Sequence, residues 1–193
     1  IGPEAATDTA GLLGWTFATG KPGLLIGQSN FETDRAAVEN PAVRIIPADS
    51  KTLPPPALPG GSASTGPLAV ADVDNDGDLD LFVGGRTVPG RYPEPADSRL
   101  YLNNNGTLEP DPDSAELFKK LGLVSGAVLG DLDNDGDADL VLALEWGPVK
   151  VFRNHAGKYT DATATLGLAP HQGWWNSVAL GDLDGDGRLD IVA

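Results

Sequence analysis

Half of the acid in this chain sits in three nine-residue windows, and no other feature limits its possible folds as much. The windows read DVDNDGDLD from Asp72, DLDNDGDAD from Asp131 and DLDGDGRLD from Asp182. They hold Asp72, Asp74, Asp76, Asp78 and Asp80; Asp131, Asp133, Asp135, Asp137 and Asp139; and Asp182, Asp184, Asp186 and Asp190, which makes 14 of the 28 acidic residues. Carboxylates on alternate residues repel one another, and an ordinary solvated turn has no use for them. A hard divalent cation does: Ca2+ takes roughly six to eight oxygen ligands. Mg2+ keeps several of its waters and suits such a protein cage less well.

The spacing assigns roles within each window. Alternate residues at positions one, three and five of a tight loop can converge on one point, and Gly77, Gly136 and Gly187 at the sixth supply a sharp turn that a β-carbon would hinder. The seventh position is Asp78, Asp137 and Arg188. An arginine is compatible with a ligand position only through its backbone carbonyl. Positions one, three, five and nine are therefore read as side-chain ligands and position seven as a carbonyl ligand, with water completing the shell. Three Ca2+ sites are expected. An EF-hand loop would need Glu at position 12, where this chain has Val83, Leu142 and Ala193.

The windows recur at intervals of 59 and 51 residues, the range of propeller and solenoid repeats. A short apolar run precedes each (PLAVAD, GAVLGD, SVALGD) and another follows (LDLFVGG, ADLVLAL, LDIVA). A third run, RLYLNNN or PVKVFRN, and a short fourth beyond the next turn complete two of the units. Four short antiparallel strands per repeat, with the acidic loop between the first and second, predict an all-β fold of β-propeller blades, a partial ring of about three to four. The single segment 1–193 divides into a partial blade (1–48), a Pro/Gly-rich connection (49–65), a blade (66–112), a helical connection (113–125), a second blade (126–162) and the start of the next (177–193). The helical expectation rests on a capping pattern at Asp113 and Glu116 with Gly122 as the stop. Asn105-Gly106-Thr107 is a glycosylation sequon, but Asn-Gly is also a preferred hairpin turn, and the turn reading is adopted.

Charge and composition narrow the partners. With 28 acidic against 13 basic residues the formal net charge is −15, which disfavours nucleic acid and anionic membrane surfaces. No apolar run approaches the roughly 20 residues of a membrane span, so no membrane insertion is expected. The chain has no Cys, which removes disulfides and thiolate chemistry. It has no Met, even at position 1, and it stops inside the run IVA. A processed or excised piece is expected, its remaining blades supplied by a longer parent chain or by another copy joined head to tail.

These loops with their flanking strands, together with RLYLNNNGT, VKVFRNHAGKYTDAT and GWWNSVALGDLDGDGRLDIVA, resemble the FG-GAP/VCBS repeat family. That family comprises calcium-loop β-propellers of integrin α-subunit heads, fungal lectins and bacterial exported proteins. The resemblance covers residues 66–193, with SGAVLGD and NSVALGD standing where the name-giving Phe-Gly and Gly-Ala-Pro signatures would be. It implies integrin-α-like blades of the bacterial exported type, with structural Ca2+.

Up-and-down strands put all the acidic loops on one face and the variable connections on the other. The second face would carry Arg86, Arg91, Tyr92, Trp146, His171, Trp174 and Trp175, aromatic planes with arginine neighbours that suit a sugar or a peptide. Trp174 and Trp175 could equally wedge between blades. The favoured function is a non-enzymatic extracellular calcium-binding module whose opposite face binds glycan or protein, as in carbohydrate binding or cell adhesion. One alternative is a polysaccharide lyase or hydrolase drawing on His171, Tyr92 and Glu145; another is a subunit of a surface filament or ring. All-carboxylate loops fill readily at extracellular calcium, so an exported, extracellular or cell-surface protein is expected.

Overall fold

The computed structural model describes residues 8–16, 20–30, 41–50, 58–59 and 63–193. Strands β1 (Asp8–Thr16), β2 (Pro22–Ser29), β3 (Pro41–Pro47) and β4 (Leu58–Pro59) form a first antiparallel sheet in chain order. Strands β5 (Ser64–Ala71), β6 (Asp80–Thr87), β7 (Arg99–Asn104) and β8 (Thr107–Pro110) form a second. In the third, β9 (Leu123–Gly130), β10 (Asp139–Pro148), β11 (Lys150–His155) and β12 (Lys158–Asp161) repeat that order, and β13 (Gln172–Trp174) pairs with the far end of β10. A last pair, β14 (Ala179–Gly181) and β15 (Asp190–Val192), closes the described chain. The fold is all-β, with no helix among the described residues.

Near-continuous apolar strands arise because neighbouring sheets pack face to face, so both faces of the inner strands are buried. In β6 the alternation is complete. Leu81 and Val83 pack with Leu68 and Tyr101 against Trp15, Leu25, Val43 and Leu58 of the first sheet. Phe82, between them, faces the other way with Ala69 and Leu100, toward Leu140, Leu142, Leu144 and Phe152 of the third. The third sheet turns Val141, Val149 and Val151 toward Val178, just before the last pair, and toward Leu180 and Ile191 within it. A period of two thus builds three successive cores. The innermost strands run close: a β-carbon on Gly66 would lie 2.7 Å from the carbonyl oxygen of Val124, so β5 and β9 can approach only without one.

Two expectations need correction. The stretch 49–65 is more than a connection: Leu58 is buried against Val43 as β4, and β5 already begins at Ser64, while 51–57 and 60–62 lie outside the described residues, as do 1–7, 17–19 and 31–40 of the segment expected as a partial blade. The expected helix over 113–125 is a run of turns over 112–120. Asp111, not Asp113, captures the free amides, accepting from the N–H groups of Asp113 and Ser114 at 3.1 Å each. A single helical turn follows, Phe118 N–H to Ser114 carbonyl, before Lys120 (φ 47°) and Gly122 (φ 138°) leave the helical region. The hairpin at Asn105-Gly106 has both residues at positive φ, 53° and 92°, as a tight two-residue turn requires.

Candidate metal centre

The three acidic windows become the loops from β5 to β6, β9 to β10 and β14 to β15. In each, the carboxylates at positions one, three and nine come together. Oxygens of Asp72, Asp74 and Asp80 lie within 4.8 Å of one another, as do those of Asp131, Asp133 and Asp139, and those of Asp182, Asp184 and Asp190. Two left-handed residues fold each loop back on itself. One is the glycine at position six (Gly77, φ 94°; Gly136, φ 93°; Gly187, φ 82°). The other, at position four, is Asn75 (φ 63°), Asn134 (φ 61°) or Gly185 (φ 79°). Asn and Gly are the residue types that tolerate this region, a signal present in the sequence but not read from it.

Backbone amides preset the first-position carboxylate. Asp72 accepts from Asp76 N–H (3.1 Å) and Gly77 N–H (2.9 Å), and Asp131 accepts from Asp135 and Gly136 at the same two distances. Asp182 accepts from Gly185 N–H (2.7 Å) and Gly187 N–H (3.0 Å). The ninth residue reaches back to position two: Asp80, Asp139 and Asp190 accept from the N–H of Val73 (2.8 Å), Leu132 (3.0 Å) and Leu183 (2.9 Å). Its second oxygen also holds the third strand of the sheet, through Asn103 N–H to Asp80 and Asn154 N–H to Asp139, each at 2.8 Å.

Positions five and seven behave differently. Asp76, Asp135 and Asp186 accept from the N–H two residues on and stand outside the convergent sets. Asp78 instead takes the N–H of Asn105 (3.0 Å), and Asp137 takes Ala156 N–H (2.8 Å) and the side-chain amide of Asn75 (2.7 Å), which ties the first loop to the second. Arg188 is exposed. Asp135 and Asp137 also gather with His155, a solvent-facing group.

The three centres are not electrostatically equal. Asp80 is 1% exposed, and burial pushes its carboxyl from 3.8 up to about 6 against the pull of two amides. Burial, then the charge of Asp76, raises Asp74. At the second loop burial raises Asp133, while Arg153 opposes it. The guanidinium of Arg153 bonds Asp139 and lies 3.4 Å from Asp133; by strand register Leu102 occupies the matching place at the first loop. Among the described residues no basic side chain is ion-paired with the first or third set. All-oxygen donors, converging with their charge uncompensated, fit a hard divalent cation.

The raised carboxyl of Asp80 gives a signed expectation. Its folded value lies above its unfolded one, so the stability it contributes to the cation-free protein is present below pH 3.8 and lost as pH rises through about 6. Denaturant titrations in a chelator, run at acid and neutral pH, should show the Asp80→Asn variant losing less stability over that window than the parent. An identical pH slope in the two proteins would contradict it.

The opposite end of the sheets holds the second group of predicted residues. Ser64 and Thr65 at the start of β5, Thr87 at the end of β6, Leu123–Ser125 of β9 and Glu145 of β10 border an open concavity of about 700 Å3. Arg86 and Tyr92 line it as well, and Arg86 Nη2 lies 2.9 Å from Glu145 Oε2. Trp146 donates its indole N–H to the Tyr92 hydroxyl (2.8 Å) and lies against Trp174, ring centres 5.0 Å apart. Both Trp residues are 59% exposed. The remaining predicted residues part from this group. Trp175 packs against the core formed by Val141, Val149 and Val151, Arg91 pairs with Glu94 at 2.5 Å, and His171 is exposed near a turn.

No helix of the described residues is long and apolar enough to cross a membrane. No curated protein matches the chain. Residues 131–193 match the family model of the FG-GAP-like repeat. That stretch contains the second and third acidic loops, strands β10 to β15 and the turn segment between β12 and β13, and it is similar to an FG-GAP-like repeat.

Proposed function

We propose that the chain is a segment of an extracellular, calcium-tied β-propeller, a non-enzymatic module with ions at one end of its blades and a binding face for glycan or protein at the other. The observation that carries this reading is the threefold convergence of carboxylates on loops that their own amides have already shaped. Asp72, Asp74 and Asp80 and their counterparts would hold each ion. Asp76, Asp135 and Asp186 and the carbonyls of Asp78, Asp137 and Arg188 are proposed to complete the shell. A bound Ca2+ supplies charge neutralisation and cross-linking of the loop; three of them carry six positive charges and would bring the formal net from −15 to −9. The FG-GAP-like match supports both the blade and the ion. Extracellular calcium would keep such loops filled. The three residues considered for catalysis do not assemble among the described residues: Glu145 is ion-paired with Arg86, the Tyr92 hydroxyl accepts from Trp146, and His171 is not brought to either.

Calorimetric titration with CaCl2, paired with thermal melting, tests the reading. Three equivalents should bind, and each site should stabilise the fold by about 2.7 kcal/mol at a hundredfold excess over its Kd. The second loop should fill last, because Arg153 already occupies two of its carboxylates. An unchanged melting temperature in millimolar calcium, or an equal response to Mg2+, would overturn the assignment.

A further inference from the structure

The concavity opposite the loops has the features of a built recognition site. Bound to its lining residue Tyr92, though not itself part of the lining, is Trp146, whose φ of 62° is a conformation that costs a bulky side chain energy and that glycine adopts freely. The cause is a bulge: Glu145 pairs with Trp174 and Gly147 with Gly173, leaving Trp146 unpaired and turned out of the sheet. Bulges of this kind re-aim a side chain, and such strain gathers where function requires it. The expelled indole lies against Trp174 at an interplanar angle of 36°, each ring covering one side of the other, and both residues remain largely exposed. Its polar N–H is already bound to Tyr92, and what it offers a ligand is its face.

The Glu145 side chain is 6% exposed, and its Oε2 lies 2.9 Å from Arg86 Nη2 in an ion pair outside hydrogen-bond geometry. It borders the concavity, and its charge is met by Arg86 while its lone pairs keep room for a donor. A ligand hydroxyl can donate there without displacing Arg86. Charge then selects the ligand. Arg86 is neutralised by Glu145 and Arg91 by Glu94, on a chain of net −15, so an anionic ligand finds no uncommitted cation there. An extended peptide would seek a free strand edge, but the far end of β10 is already paired with β13.

We propose that this face binds a neutral oligosaccharide, one pyranose ring stacking on the face of Trp146 that Trp174 leaves free and a sugar hydroxyl donating to Glu145. Thr65, Tyr92 and Asn176 on the wall of the concavity offer further hydrogen-bonding groups. This deepens the reading of the opposite end as the binding face and does not depend on calcium in the loops.

The test is calorimetry and Trp fluorescence with neutral gluco-, galacto- and manno-trisaccharides, a uronate trisaccharide and a peptide library, in millimolar CaCl2 and again in chelator. At least one neutral trisaccharide should bind. Trp146→Gly should weaken it about tenfold or more while leaving the melting temperature unchanged or raised, because glycine relieves the strained φ. Trp174→Ala should weaken it comparably. Binding of none of the neutral sugars, preference for the uronate or for peptides, unchanged affinity in Trp146→Gly, or a lowered melting temperature in that variant would each overturn the proposal. Sugar binding that persists in chelator, with no calcium-dependent melting, would sustain it while removing the calcium reading.

Discussion

Replacing Phe118 with alanine is expected to lower stability by about 3–5 kcal/mol, and the melting temperature of a domain this size by about 10 °C or more. The residue belongs to no strand. It comes from the turn segment 112–120 and is fully buried between the second and third sheets. Its ring meets Phe82 edge-on at 5.5 Å and Phe152 at 5.3 Å, with interplanar angles of 83° and 89°, and Tyr159 stands at 5.8 Å. Edge-to-face pairs add to the value of the buried area. Both walls of the resulting cavity are sheets fixed by their own ladders, so little collapse can offset the loss. Phe118→Leu, which keeps most of the volume, should lose less than half as much. Equilibrium unfolding in urea measures both, and a loss under about 1 kcal/mol for the alanine variant would show that the sheets hold each other without this wedge.

That wedge also shows where a sequence of this kind can and cannot be read. The acidic loops and inner strands were legible because each depends on neighbouring residues only. A glycine at the sixth position, carboxylates on alternate residues and apolar runs on both faces of a strand are local statements. Features that depend on register across the sheet were not. Arg153 enters the second loop because β11 pairs Phe152 with Leu140, whereas the same pairing at β7 puts Leu102 there. Trp174 and Trp175 are adjacent in sequence. Only the pairing of β13 with β10 turns Trp174 to solvent and Trp175 toward the third core. A positive φ at a tryptophan has no sequence signature. The helix expected over 113–125 stops after one turn although Asp111 caps its start, because Lys120 and Gly122 leave the helical region at positive φ. The two-residue strand β4 is too short to show any periodicity.

The ninth-position aspartates carry a structural duty that their reading as ion ligands conceals, and Asp139→Ala is where it should be most visible. This carboxylate is fully buried and accepts from Leu132 N–H inside the loop, from Asn154 N–H on β11 and from Arg153. It therefore fastens the loop to the third strand whether or not an ion is bound. Truncation would leave two buried amides without an acceptor and a guanidinium without its nearest partner, a loss of about 3–5 kcal/mol. Asp190 is the built-in control. It has the same place in the third loop, but it is only partly buried and its one hydrogen bond among the described residues is to Leu183 N–H. Asp190→Ala should therefore lower stability by about 1 kcal/mol or less in chelator, yet abolish one equivalent of calcium binding. Melting curves in chelator and in calcium separate the two duties. If Asp139→Ala and Asp190→Ala fall equally without cation, the strand-fastening role is wrong. If both are neutral without cation and harmful only with it, the ninth carboxylate serves the ion alone.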